Sequence, residues 1–373
     1  MLHFAESKII PFWEPDKIFS RSVAESFSLQ SVNVEWAGYK PNKQEDVLVR
    51  LVSPDGQLFR SFGGQCVFSS EWDNLAKDTY QANFGECPAG DITTIDAEDI
   101  PNHDILLAGF PCQPFSIIGK REGFTDTRGT LFFEIERILY VKRPTAFLLE
   151  NVKQFRTHDN GNTCKIVLEK LQELGYYTYI TVLNALNFGV AQKRERTFIV
   201  GFNEPLKFQF PKTYGWRPNL KDVLENDATV NPKLFASDMI CKKRLERLKQ
   251  QGQNPFYPSM WHENKGGHIG IHPFSCALRH NAFYNYLLVN GNRRPTGREM
   301  LRFQGFPESY KIVVDHSAIR SQAGNSVAVP VITAIAAEMM IALRNKTVMK
   351  PVVKKSEQRL FELEEELIMF NKN

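Results

Sequence analysis

The sequence predicts an α/β protein with a doubly wound, Rossmann-like parallel sheet and a smaller, irregular second domain. From residue 61 to residue 203, apolar runs typical of buried parallel strands alternate with helical segments. Beyond Phe202 the alternation stops, and residues 204–292 carry scattered prolines, glycines and aromatic residues instead. A chain of 373 residues is long enough for a large core and a second domain.

The stretch Asp104–Ser116 contains the strongest candidate for a reactive group. Its first half is apolar, as expected of a buried strand, and the chain then turns at Gly109. Cys112 follows just past the carboxyl end of that strand, where ligands gather in open α/β sheets. Pro111 and Pro114 stiffen the backbone around the thiol. Cys112 is therefore a candidate nucleophile, with an inert, half-buried cysteine as the alternative.

Two later strand ends carry polar groups that would share the same rim. An apolar strand ends in Glu150, and another apolar strand is preceded by Gln192, Arg194 and Arg196. In an extended segment these three alternate onto one face and form a row of donors suited to a base edge or a phosphate. Each group alone also has a plain structural interpretation: Glu150 as a neighbour of a helix N-cap, and the arginines as a solvated edge.

Five ordered motifs connect these groups to a known family. They are Phe110-Pro-Cys-Gln113, Glu150-Asn-Val152, Gln192-x-Arg-x-Arg196, Arg298-Glu-x-x-Arg-x-Gln-Gly-Phe-Pro307 and Gly324-Asn-Ser-Val327. In this order they resemble the DNA (cytosine-5) methyltransferases, specifically the bacterial type II restriction-modification methylases. The resemblance covers roughly residues 62–340.

The resemblance implies a chemistry for each group. Cytosine C5 is a poor nucleophile, so the Cys112 thiolate would first add to C6 and enrich C5. Glu150 would protonate or hydrogen-bond N3, and Arg194, with Gln192 and Arg196 beside it, would hold the base or its phosphate. A stacked base is out of reach, so the cytosine would flip out of double-stranded DNA.

The resemblance also implies a pocket for S-adenosylmethionine. Glu71 would take the ribose hydroxyls, Trp72 would lie against the adenine, and Asp91 would accept from the adenine amino group. From the residues alone, a turn or helix cap is the alternative for Asp91. The full set of expected cofactor-binding residues is Glu71, Trp72, Asp91, Ile92, Pro111, Leu131, Asn325 and Ser326.

The N-terminal stretch departs from the family pattern. A strand and a glycine-rich loop that binds the cofactor would be expected near residues 47–55, where the chain reads Val-Leu-Val-Arg-Leu-Val-Ser-Pro-Asp. Synonymous codons chosen for Arg50–Val52 and Asp55–Phe59, read one base along, spell parts of the missing motif. We therefore hypothesise a wrong-frame stretch before about residue 62, and we expect the first strand of the sheet to be lost.

The domain organisation follows from these patterns. We expect a poorly matched stretch at 1–60, a catalytic and cofactor domain at 61–203, a target-recognition domain at 204–292, a return to the catalytic domain at 293–343 and a C-terminal helical extension at 344–373. The polar residues 116–129 are expected to form a mobile loop that closes over DNA. Residues 323–327 are expected to open a helix that runs to about Leu343.

The target-recognition region contains two clusters with more than one interpretation. Its basic helix could contact phosphates through Lys242, Lys243, Arg244 and Arg247, or simply present a solvated face. A run of histidines and one cysteine matches no standard zinc spacing, and we expect no metal there. The members of this run are His262, His268, His272, Cys276 and His280.

Composition fits a cytoplasmic enzyme without establishing one. A net charge of +4 is only mildly basic, and the six cysteines are scattered as in reduced proteins. The N-terminal residues show no signal-peptide pattern, and no apolar run approaches the roughly 18 residues of a membrane span. We expect a monomer that works beside a restriction endonuclease acting on the same site.

Two rival functions remain open at this stage. The same sheet and thiol could modify transfer RNA, although the long variable region at 204–290 favours DNA. Alternatively, the chain is a DNA-binding remnant of a methylase that has lost its cofactor loop. Binding of S-adenosylmethionine would separate the remnant from an enzyme.

Overall fold

The computed structural model describes residues 64–110, 131–280 and 282–346, together with the backbone of residues 47–49. Several predictions lie outside these described residues: those on Pro111 and Cys112, on the loop 116–129 and on the C-terminal extension beyond residue 346.

The described part of the chain alternates strands and helices as far as residue 202. The strands are β1 (Val47–Val49), β2 (Cys66–Phe68), β3 (Ile105–Gly109), β4 (Ala146–Val152), β5 (Tyr177–Asn184), β6 (Gln192–Lys193), β7 (Glu195–Phe202), β8 (Met260–Glu263), β9 (Ile269–His272), β10 (Ser275–Cys276) and β11 (Leu287–Val289). The α-helices are α1 (Asn74–Phe84), α2 (Leu131–Lys142), α3 (Asn162–Glu173), α4 (Leu220–Val223), α5 (Asp238–Gln250), α6 (Gly297–Gln304), α7 (His316–Asn325) and α8 (Val329–Asn345).

The central sheet confirms the α/β class but is mixed rather than wholly parallel. Its six strands within the described ranges follow the order β2-β1-β3-β4-β7-β5. Strand β7 runs antiparallel to both of its neighbours. The reason is the short link between β5 and β7, residues 185–194, which holds no α-helix. A parallel return would need a crossover of about a dozen residues or more.

The expected loss of the first strand is wrong. Strand β1 lies between β2 and β3 and pairs in parallel with both, with Leu48 opposite Phe68 on one side and Leu106 on the other. Its sequence, Val-Leu-Val, has the β-branched composition that suits a buried parallel strand. The chain therefore has a strand at the position where the family has its first strand.

Helices cover both faces of the sheet, as in other doubly wound proteins. On one face, α8 buries Ile335 and Met339 against Leu148 and its neighbours in one hydrophobic cluster. On the other, α2 and α3 bury Phe132 and Val167 in a second cluster that includes the inward residues of β3 and β4. This double cover holds the carboxyl ends of β3 and β4 firmly at one rim of the sheet.

The second region forms its own small sheet. Strands β11, β8 and β9 are antiparallel neighbours, and helix α5 packs on them around Leu248, Trp261, Ile269 and Leu288. Strand β10 leaves this region to pair with β6 beside the central sheet. The two regions are therefore joined through β6, which directly precedes the first residues of β7.

The expected helix opening at residues 323–327 needs correction. Gly324 and Asn325 end α7, Ser326 is its C-cap, and α8 begins only at Val329, followed by Pro330. Proline suits the first turn of a helix because the amide donors there have no partner within the helix. The motif Gly324-Asn-Ser-Val327 is therefore the junction between two helices.

The expectation that no apolar run approaches the length of a membrane span needs correction. The stretch His316–Asn345 is long and apolar enough to span a membrane by length and composition, with a hydropathy of 2.0 in its most apolar window. However, it is divided between α7 and α8, and 61% of that window is buried inside the protein. Its apolar character is explained by the core that α8 forms with the sheet.

Candidate active site

An ion pair marks the rim of the sheet where β3 and β4 end. Glu150 comes near the end of β4, and its Oε1 lies 2.8 Å from Nε of Arg196 on β7. Their side chains are 17% and 16% exposed, so the pair is largely covered but still reaches the surface. Gly109, the last residue of β3, is the register partner of Glu150. The amide of Phe110 donates to the carbonyl of Glu150 at 3.4 Å.

Arg194 is buried and does not present its guanidinium at this rim. It is fully surrounded by protein, and it donates through Nη1 to the carbonyl of Leu278 at 3.1 Å and through Nη2 to those of Gly324 and Ser326 at 3.1 and 2.6 Å. Burial, reinforced by the nearby charge of Arg196, lowers the pKa of the Arg194 guanidinium to about 9. Arg194 therefore holds three backbone segments together.

Gln192 is buried in the same way. Its Nε2 donates to the carbonyl of Phe303 at 2.8 Å and to Oε1 of Gln304 at 3.1 Å, and its Oε1 accepts from the amide of Leu278 at 3.0 Å. Gln192 and Arg194 lie on one face, since both hydrogen-bond to Leu278, but they are buried in the protein rather than presented as a row of donors to a base or a phosphate. The chain is interrupted at Arg194, because β6 pairs with β10 whereas β7 joins the central sheet.

Asn151 is a buried polar residue that the sequence did not single out. Its Oδ1 accepts from the amide of Val152 at 2.8 Å. Its Nδ2 is buried without a hydrogen-bond partner among the residues that the structure describes. The only sequence signal was its place in the Glu150-Asn-Val152 motif.

The two acidic residues expected to bind the cofactor, Glu71 and Asp91, follow segments that are hydrogen-bonded to each other. The amide of Glu71 donates to the carbonyl of Ala89 at 3.0 Å, and Ser70 donates to the carbonyl of Gly90 at 2.7 Å, which brings Glu71 and Asp91 onto adjacent loops. Trp72 is 72% exposed, so its ring is available to a ligand.

Asp91 forms a helix cap, which is the alternative role that its local sequence suggested. Its Oδ1 accepts from the amide of Thr93 at 3.0 Å and caps the short 3₁₀ helix that starts at Ile92. Ile92 itself is buried, and Leu131 is partly buried against the same cluster at the start of α2. The cap leaves the other carboxylate oxygen of Asp91 at the exposed surface.

The helix junction lies next to this acidic segment. Gln322 on α7 donates to the carbonyl of Leu75 at 3.0 Å, close to Trp72 in sequence. Asn325 is exposed and its Nδ2 lies 3.4 Å from Nδ1 of His280, whereas Ser326 is buried and donates to the carbonyl of Ala323. The hydrogen bond from Gln322 to Leu75 therefore joins α7 to the start of α1, the helix that follows Glu71 and Trp72.

Comparison with known proteins identifies the family of the chain. The family model for C-5 cytosine-specific DNA methylase matches residues 57–340. The chain belongs to this family.

Its similar relatives include type II methyltransferase M.NgoBI of Neisseria gonorrhoeae, 58% identical over 74% of this chain and 86% of the relative. Type II methyltransferase M.HaeII of Haemophilus aegyptius is 56% identical over 78% of this chain and 90% of the relative.

Solved structures show the same fold at low identity. A triple mutant of DNMT2 from Spodoptera frugiperda aligns with a TM-score of 0.58 and 20% identity, covering 78% of this chain and 99% of that one. A putative DNA modification methyltransferase from an Escherichia coli prophage aligns with a TM-score of 0.59 and 19% identity over 80% and 100%. The chain is a DNA (cytosine-5) methyltransferase with a methyltransferase fold.

The basic helix of this methyltransferase offers fewer free cations than expected. Arg244 is buried, and its Nη2 pairs with Glu263 at 2.8 Å, while Arg247 pairs with the other oxygen of Glu263. Lys242 and Lys243 are exposed on the same helix α5. Of the four basic residues considered for phosphate contacts, Arg244 and Arg247 are thus paired with Glu263, whereas Lys242 and Lys243 are exposed.

The histidines of the second region are dispersed. His262 contacts Arg279, His272 stacks on Phe274, and His280 hydrogen-bonds Ser321. Within the described ranges, no group of three or more His, Cys, Asp or Glu side chains is placed to hold a metal ion.

Proposed function

We propose that this enzyme transfers a methyl group from S-adenosylmethionine to C5 of a flipped-out cytosine in a specific double-stranded DNA sequence. The observation that carries the proposal is the register of Gly109 with Glu150, beside the Glu150–Arg196 pair. The chain runs from Gly109 through Phe110 to Cys112, so the nucleophile and the carboxyl group come from adjacent strand ends. Cys112 itself lies outside the described residues.

The proposed reaction begins at C6 of the base. The Cys112 thiolate adds to C6 while Glu150, which must carry a proton for this step, donates it to N3, and the electron density moves to C5. C5 takes the methyl group that the cofactor supplies, then loses its proton to a base, and the Cys112 sulfur leaves C6. Arg196, a fixed cation beside Glu150, stabilises the negative charge that develops on the base. Arg194 and Gln192 act at a distance, by positioning the segments that surround the pocket.

The proposed cofactor site fits the residues present. Glu71 would take the ribose hydroxyls, Asp91 with Ile92 would contact the adenine, and Trp72 would stack on it. Leu131, Asn325, Ser326 and Pro111 would complete the pocket. When bound, S-adenosylmethionine supplies a methyl group on a sulfonium.

We further propose a biological setting. The enzyme acts in the cytoplasm as a monomer and protects its DNA site from a restriction endonuclease that recognises the same sequence. The long region from α4 to β11 recognises the DNA, which favours DNA over transfer RNA as the substrate.

Bisulfite sequencing of plasmid DNA from a methylation-free host tests the reaction. We expect methylated cytosines at one short sequence with the wild type and none with Cys112→Ser, which should still bind DNA because the thiol adds little ground-state affinity. DNA carrying 5-fluorocytosine should form a complex that survives denaturation, because fluorine does not leave in the last step. Methylation by Cys112→Ser, or an active wild type without a trapped complex, would remove the thiol from the mechanism. Methylation of transfer RNA but not DNA would support the rival substrate.

A further inference from the structure

One arginine of the second region, Arg279, has no ion-pair partner among the residues that the structure describes. Arg279 follows Leu278, whose carbonyl accepts from Arg194 and whose amide donates to Gln192. Its backbone carbonyl carbon also packs closely against Gly324 at the helix junction. Arg279 is therefore fixed, through its backbone, next to the segment that Arg194 and Gln192 hold and to the junction of α7 and α8.

Its side chain is held in a definite orientation. Nη2 of Arg279 lies 3.0 Å from Nε2 of His262, and its guanidinium carbon lies 5.8 Å from the ring centre of Tyr286. The Tyr286 hydroxyl also accepts from the Arg279 amide at 3.2 Å. Burial and the nearby Arg279 lower the pKa of His262 to about 4, so near neutral pH the imidazole is uncharged and its Nε2 accepts from the guanidinium.

The rest of the guanidinium faces outwards. Arg279 is exposed, and within the described part of the chain its Nε and Nη1 have no hydrogen-bond partner and no carboxylate pairs with it. Neighbouring arginines differ: Arg244 pairs with Glu263, and Arg293 makes a buried two-pronged pair with Glu299. A preorganised guanidinium with two free donor groups is suited to a ligand with two adjacent acceptors.

We propose that Arg279 reads one guanine of the recognition sequence, donating from its guanidinium to O6 and N7 in the major groove, with His262 as a positioning residue. The inference rests on the proposed function, because it needs DNA at the Glu150–Arg196 rim. A phosphate contact requires only a nearby cation, which Lys242 and Lys243 already supply. A planar guanidinium held in one orientation matches the two acceptors of guanine. The loss of such a contact should lower the preference for guanine roughly 5- to 150-fold at that one position.

The test selects bound duplexes from a randomised DNA pool and compares the consensus of wild type and Arg279→Ala. We expect the wild-type consensus to contain a guanine that the variant no longer requires, with all other positions unchanged. Replacing that guanine by 7-deazaguanine should weaken wild-type binding but leave Arg279→Ala unaffected. An unchanged consensus would overturn the proposal. So would a uniform loss of affinity, which is the behaviour expected of the control Lys243→Ala.

Two arrangements keep the test decisive. If Arg279→Ala does not fold, the 7-deazaguanine series on the wild type, scanned over each guanine of the consensus, still decides whether an N7 contact exists. His262→Gln, which keeps an acceptor, should retain more of the preference than His262→Leu, and equal behaviour would remove His262 from its positioning role. Because selection measures binding, a failure of methyl transfer leaves this result intact and counts against the proposed function alone.

Discussion

Arg194 and Arg196 are two residues apart, yet substitution should affect them in opposite ways. Arg194→Met keeps the apolar stem of the side chain but removes the donors to the carbonyls of Leu278, Gly324 and Ser326. Arg196→Met removes the partner of Glu150 at the partly open rim. The first change should reduce stability, and the second should reduce catalysis.

The magnitudes follow from the contacts that remain. The carbonyl of Ser326 keeps Nε2 of Gln304 at 3.4 Å, so Arg194→Met leaves two buried acceptors, those of Leu278 and Gly324, without that donor. An unsatisfied buried acceptor costs about 1–3 kcal/mol, and relief from burying a charge offsets part of the sum. We expect a net loss of about 2–4 kcal/mol from a total stability of about 5–15 kcal/mol. Arg196→Met should cost less, because the Glu150 side chain is 17% exposed although its Oε1 is buried.

Urea denaturation followed by tryptophan fluorescence measures the first effect, and methyl transfer at a temperature where both variants are folded measures the second. We expect a lower midpoint for Arg194→Met with turnover within about tenfold of wild type, since Arg194 touches only backbone. For Arg196→Met we expect turnover to fall by about 10²-fold or more, as when an electrostatic donor is removed from a site. A wild-type midpoint with abolished turnover in Arg194→Met would show that Arg194 acts on the base, and the structural role argued above would be wrong.

Two further changes test the packing around the site. Lowering the pH through the range from about 6.5 to 4 should weaken the fold through His262, because its lowered folded-state pKa lets the unfolded chain bind the proton more strongly. This contribution is intact above about pH 6.5, and His262→Gln should remove it from pH-dependent urea midpoints, so an unchanged pH slope would contradict the assignment. Gly324→Ala would place a Cβ 2.3 Å from the backbone nitrogen of His280, so it should displace the segment that carries Arg279. We expect a lower melting temperature and weaker DNA discrimination, and wild-type values for both would show that the segment adapts freely.

Local sequence patterns were sufficient to predict the strand that carries Glu150 to the edge of the sheet. The apolar run before Glu150 is a strand whose last residues reach the sheet edge, and the alternation of strands and helices predicted the double cover of the sheet. The cap at Asp91 was also within reach, because an aspartate that accepts from the amide two residues later is a local arrangement.

The errors came from partners far away in sequence. Gln192 and Arg194 are buried rather than available to a ligand, because they bond to Leu278 and to Phe303 and Gly324, contacts that no local period reveals. Arg244 appears as an exposed cation in a basic helix, but Glu263 on β8 turns it inwards. The sequence shows which residues are charged, whereas the pairing of distant segments decides which of these charges have no ion-pair partner.

At the N-terminus the first strand is present, since β1 fills the position that we expected to be empty, but the loop after it departs from the family pattern. The residues after it read Arg50-Leu-Val-Ser-Pro-Asp-Gly56, where the family pattern has several glycines. Glycines let the backbone approach a cofactor closely, and Pro54 has no amide hydrogen to donate.

We therefore predict near-normal stability but weak binding of S-adenosylmethionine. Calorimetry should compare this chain with a chimaera in which residues 1–56, which precede the family match, are replaced by the corresponding N-terminal segment of M.NgoBI. We expect the chimaera to bind the cofactor at least about tenfold more tightly, a difference of about 1.4 kcal/mol. The gene read one base along before residue 62 should also encode a glycine-rich loop. Equal affinity of the two proteins would show that the residues after β1 serve the cofactor as they stand, and the wrong-frame hypothesis would then have no functional support.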